Sequence, residues 1–121
     1  MIDLHLGWKL HVDRSPDWIF CRLTADQPHL GGEPLLAQAI VDEAKAAGVS
    51  RAIFEIDDSV MLVSYLVGQV VSLHKRFLIE GGVFRICGFS TLNYDVLRTL
   101  HLADRFPNYR DREAAVLGHL S

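Results

Sequence analysis

Apolar and polar side chains alternate over residues 7–12 and again over 18–24, the period of a half-buried strand. Between them Asp13, Ser15, Pro16 and Asp17 supply turn chemistry, so the two runs predict a β-hairpin. Residues 25–32, with Pro28 and the Gly31-Gly32 pair, predict a loop. Pro34 suits the first turn of a helix, and the apolar positions after it carry that helix to Ala47, with Gly48 closing it. Residues 52–56 are a short, mostly apolar run and predict a buried strand. From about Val63 the period becomes helical and holds to about Ile79, where Glu80-Gly81-Gly82 stops it. Val83–Cys87 predicts another strand. Ser90 predicts an N-cap for a helix over 91–100, with Leu92, Val96, Leu97 and Leu100 as its apolar stripe. Residues 105–109 predict a short extended connection. Asp111 can cap a last helix, which ends at Gly118.

The order is a hairpin, then helices alternating with strands. That order predicts an α/β fold with a mixed sheet, its helices packed mainly on one face. The helix from 63 to 79 is two-faced at 100° per residue. Leu66, Val67, Val70, Val71, Leu73, His74, Phe77 and Leu78 are expected to face the sheet. Ser64, Tyr65, Gly68, Gln69, Ser72, Lys75 and Arg76 are expected to face outward. The outward face of its first turns is unusual, since Ser64, Gly68 and Ser72 are small and Tyr65 is the one large side chain. A solvated helix face normally carries long charged residues, and a mid-helix glycine costs roughly 1 kcal/mol relative to alanine. Ser64, Tyr65, Gly68 and Ser72 are therefore the candidate contact surface.

Composition narrows the classes. The 121 residues predict one domain over 1–121, with a net charge of −3 and no basic stripe, which argues against a nucleic-acid partner. No apolar run reaches the length of a membrane span, and the first residues lack a basic leader pattern. Cys21 and Cys87 sit within apolar runs and read as reduced core thiols, which predicts a cytoplasmic protein.

Candidate chemistry is sparse. Glu55, Asp57 and Asp58 fall at the carboxyl end of a strand, where α/β sheets place ligands, so Asp57 and Asp58 are possible ligand or ion contacts. Asp or Ser capping of the next helix explains the same residues. The six histidines form no HxxxH or HExxH pair, and no cysteine lies near them at ligand spacing, so no metal site is expected. His74, on the apolar side of its helix, reads as a hydrogen-bonded core histidine. No nucleophile elbow or phosphate-binding glycine loop is present, which predicts neither catalytic residues nor a cofactor.

One stretch carries a resemblance. Residues 80–109 contain Gly81-Gly82, a strand, Ser90, Leu97, Leu102, Phe106 and Tyr109. In that arrangement they resemble the STAS domain of sulfate transporters and anti-sigma factor antagonists, with His101 at the place of a usual glycine. The strand, loop and helix before them match in length, so the resemblance spans about 6–118. It implies a non-catalytic regulatory module that binds a protein partner, an anti-sigma factor or a histidine-kinase-like ATPase domain. The family's Asp-Ser-Ser-Gly phosphorylation motif falls on Val63-Ser64-Tyr65-Leu66. Only Ser64 matches, and Tyr65 stands where the phosphorylated serine would be. The resemblance therefore implies partner binding without the usual serine switch, with Ser64 as the possible phosphorylation site. A second reading of the same fold is a small-ligand domain for a lipid or nucleotide at Asp57 and Asp58.

Overall fold

The computed structural model describes residues 1–26 and 34–120. Most of the loop expected at 25–32, including Pro28, His29, Gly31 and Gly32, lies outside the described residues. Among the described residues, six strands form one sheet whose spatial order is the order of the sequence: β1 (Ile2–Asp3), β2 (Trp8–Arg14), β3 (Ile19–Ala25), β4 (Arg51–Ile56), β5 (Val83–Cys87) and β6 (Asn108–Tyr109). The first three pair antiparallel and the rest parallel, as a hairpin followed by helical crossovers requires. Four helices accompany them: α1 (Leu36–Ala47), α2 (Ser64–Ile79), α3 (Thr91–Thr99) and α4 (Arg112–Leu117).

Alternation decides the two faces of the sheet. Leu10, Ile19, Cys21, Leu23, Ala52, Phe54, Ile56, Phe84 and Ile86 point toward α1, α2 and α3. Against them α2 buries Leu66, Val70, Leu73 and Phe77, the stripe expected from its period. The intervening residues Trp18, Ile53, Cys87 and Tyr109 point the other way and are covered by Ala114 and Ala115 of α4. Three helices thus share one face and α4 alone takes the other. Arg85 fastens α4 by donating to the carbonyls of Ala115 and Val116 at 2.7 and 3.3 Å.

Local chemistry sets the boundaries. Gly48 closes α1 in the left-handed region, and its N–H and that of Val49 return to the last turn. Ser90 caps α3 by accepting from the Asn93 N–H, and Asp111 caps α4 by accepting from the Ala114 N–H. Gly82 is forced by proximity, since a Cβ there would lie 2.1 Å from the Ser50 carbonyl oxygen. His101 closes α3 at φ 59°, a left-handed conformation natural to glycine.

The structure departs from the sequence reading in four places. Strand β1 was not expected, because two residues are too few to show a period. It pairs with β2 across a tight turn in which His5, Leu6 and Gly7 all have positive φ. Leu35 precedes α1 and is exposed. Leu78 of α2 is exposed and Val71 only half-buried, because the sheet contact is narrower than the apolar arc. In α3 the expected stripe is rotated. Asn93 and Leu97 face inward, while Leu92 is 83% exposed and Leu100 is half-exposed.

Candidate functional site

The residues expected outward on α2 divide into two groups. Ser64 and Gly68 are exposed. A Cβ added at Gly68 would meet nothing within 4 Å, so no internal contact requires a glycine there. Tyr65 and Ser72 are half-buried on the flank toward α1. The Tyr65 hydroxyl donates to the Pro34 carbonyl at 2.8 Å. One turn later Gln69 Oε1 accepts from the Ala37 N–H at 2.9 Å. Further along, Arg76 donates to Gln38. This flank joins the start of α1 to α2, and Gln69 satisfies a first-turn N–H that Leu35 cannot cap with a side chain. Tyr65 therefore does not stand free on the surface as its outward assignment implied. Its ring spans the crevice between two helices.

The connection from β4 into α2 completes the surface. Its two acids behave differently. Asp57 accepts from Arg22, from the Ser59 N–H and from the Ser59 hydroxyl. The Ser59 hydroxyl is the largest influence and Arg22 follows, and together they hold the Asp57 carboxyl down at about 2. Asp58 is exposed. Glu55, which the sequence grouped with them, stands beside Arg22 in the β3–β4 register, on the sheet face that α4 covers. There it accepts from Arg112 at 2.6 Å and receives the Cys87 thiol at 3.7 Å. Arg112 also reaches Asp13 at 2.8 Å and sits over the Phe20 ring. Glu55 and Asp57 are thus each taken by an arginine of their own, and no group of His, Cys, Asp and Glu suited to a metal ion occurs among the described residues.

After Asp57 the connection is clamped by a residue the sequence reading overlooked. Asn93 of α3 is buried. Its Nδ2 donates to the Val60 carbonyl at 2.8 Å, and its Oδ1 accepts from the Leu62 N–H at 2.9 Å. Val60 and Leu62 are thereby held inward, and Met61 and Val63 between and after them stay half-exposed. With Leu92, next to Asn93, they form an apolar rim around the start of α2. The signal in the sequence was a polar residue where the helical stripe wanted an apolar one.

His74 is half-buried and its ring packs edge-on against Phe106 with centroids 4.9 Å apart. Burial and then nearby Arg105 lower its pKa. Burial also pushes both thiols up to about 12, so Cys21 and Cys87 are not nucleophiles at neutral pH. No helix among the described residues is long and apolar enough to cross a membrane.

No family model matches the sequence, and no curated protein matches it. Among solved structures, the anti-sigma factor antagonist SpoIIAA in its unphosphorylated form superposes with a TM-score of 0.58. The match covers 93% of this chain and all of that one at 15% identity. At that identity the likeness is one of architecture. The mixed six-stranded sheet led by a hairpin, with its helices mainly on one face, is the STAS-like fold.

Proposed function

We propose that the chain is a non-catalytic regulatory module that binds a protein partner through the start of α2, without the serine switch. The observation that carries this reading is the low exposed ridge of Ser64 and Gly68, rimmed by Met61, Val63 and Leu92. Gly68 gives up helix stability although its surroundings would accept a side chain, which is understandable where another molecule must approach closely. The Asn93 clamp holds the rim in one conformation before any partner arrives, lowering the ordering cost of binding. Tyr65 supports the face from behind by fixing α1 against α2, and Ser72 shares that flank.

The partner class we favour is an anti-sigma factor or a histidine-kinase-like ATPase domain. The support is the fold shared with an anti-sigma factor antagonist and the position of the ridge at the helix start. Tyr65 has no aliphatic hydroxyl for a serine kinase, and Ser64 lies one residue before the switch position. The reading is therefore of a binder that no serine phosphate releases. A lipid or nucleotide at Asp57 and Asp58 has less support, because Asp57 is already held by Arg22 and Ser59.

Affinity capture of native partners tests the proposal. Wild type and Ser64→Glu are compared, with thermal unfolding as the control for folding. We expect Ser64→Glu to weaken capture by ~10-fold or more at an unchanged unfolding midpoint, since it places an uncompensated charge in the contact. Capture of the same partners at equal affinity would move the binding face elsewhere.

A further inference from the structure

The flank of α2 that faces away from α1 is the unexplained part of the surface. Tyr65, Gln69 and Arg76 turn toward α1. At 100° per residue, Val71, His74 and Leu78 then lie on the opposite flank, facing α3. On α3, Tyr94 is tied outward to the carbonyls of Ala103 and Phe106. Leu92, Val96 and Leu100 therefore lie on its flank toward α2. The two flanks do not close on each other, for α2 packs closely on α1 and only thinly on α3. Leu92 remains largely exposed and Leu78 and Leu100 about half-exposed, and half-exposed Met61 and Val63 stand at the end where α2 begins. At the other end it opens into a groove of about 230 Å³ lined by His74, Leu78, Arg105 and Phe106. An exposed apolar strip with polar residues at its ends is where an interaction partner is expected.

The charges at its two ends say what covers it. Asp58 stands before the start of α2 and is exposed. Lys75 and Arg105 stand toward its end and are exposed. None of the three has an ion pair among the described residues. Two acids near the end of the strip, Glu80 and Asp104, line other concavities, on the α1 side and on the outer side of α3. The strip is thus acidic at one end, basic at the other and apolar between, with Val71 at the middle of α2. A surface with that polarity complements itself when a second copy is laid antiparallel on it. A two-fold axis beside Val71 brings Asp58 of each copy toward Arg105 of the other, and Leu92 with Met61 toward Leu78 with Leu100. Each Lys75 then passes over Gly68, which has no side chain to obstruct it.

We infer that the chain forms an isologous antiparallel dimer through the α2–α3 strip. The dimer covers Ser64 and Gly68, so self-association and partner capture exclude one another. Concentration then regulates the face that a phosphate regulates elsewhere. The inference shares a face with the proposed function but is read on the purified chain alone, so either can fail without the other.

Sedimentation of the purified chain between ~10 μM and ~1 mM at low salt tests it. The weight-average mass is expected to rise from one chain toward two. Leu92→Glu and Leu78→Glu should each raise the dissociation constant ~10-fold or more. Asp58→Lys and Arg105→Glu should each weaken the dimer several-fold, and the two reversals together in one chain should restore it to within ~2-fold of wild type. All four positions are exposed or groove-lining, and thermal unfolding verifies that each variant folds. A single-chain mass throughout, a dimer indifferent to Leu92→Glu, or a double reversal no tighter than either single one would overturn the inference.

Discussion

Tyr65 shows how one side chain can change role between sequence and structure. Its phenol joins α2 to the Pro34 carbonyl at the entry to α1. Tyr65→Phe keeps the ring and leaves that half-buried carbonyl without this donor. We expect a loss of ~1 kcal/mol in urea-induced unfolding, the net scale of a neutral hydrogen bond. Asp57 offers a second test at this scale. Its folded pKa, about 2, lies below the unfolded value near ~3.9, so its contribution is fully present above about pH 4. That contribution is lost as pH falls through the interval down to about 2. The stability difference between wild type and Asp57→Asn should therefore shrink across that interval in acid titrations of unfolding. A difference constant with pH would show that the Ser59 and Arg22 bonds do not act on the folded carboxylate. The sequence allowed Asp57 a ligand role or, with Ser59, the capping of the next helix; α2 in fact follows Val63 with no side-chain cap, and Asp57 instead holds Arg22, 35 positions away in sequence and brought near only by the β3–β4 register.

At the scale of elements, strands and helices were legible wherever period and punctuation agreed. The α2 stripe, the Ser90 and Asp111 caps and the Gly48 and Gly118 ends are all local signals, and each acts locally in the fold. Helix α3 was misread because an amphipathic count weighs hydrophobicity alone. Buried Asn93 wins its inward place with two hydrogen bonds to a neighbouring backbone, and Leu92 is turned outward as a result. The candidate face was legible in Ser64 and Gly68, whose smallness needs no neighbour to be noticed. The rim of Met61, Val63 and Leu92 was not, since it exists only because a residue 31 positions on fixes the connection. Gly68 gives the prediction at this scale. With open space where a Cβ would stand, Gly68→Ala should raise stability by ~1 kcal/mol in denaturant unfolding, the alanine–glycine difference in a helix. Destabilisation would mean that the helix there is held by something other than its own propensity.

For the whole molecule, the spatial order of the strands is the order in which they are made. Each strand finds its partner among residues already synthesised, next to the one laid down before it. A nascent chain can therefore extend the sheet edge by edge, never holding a place open for a strand still to come. The exception is α4, whose Arg112 reaches back 99 positions to Asp13 and 57 to Glu55. Among the described residues that contact closes a loop of 99 positions, at a high cost in closure entropy, so it should form after the sheet does. Arg112→Leu should accordingly speed unfolding while leaving the folding rate nearly unchanged, a φ-value near zero in stopped-flow kinetics. The last helix then works as a clasp: whatever displaces it from the back of the sheet reverses the final step of assembly and leaves the opposite face, with its ridge on α2, still built.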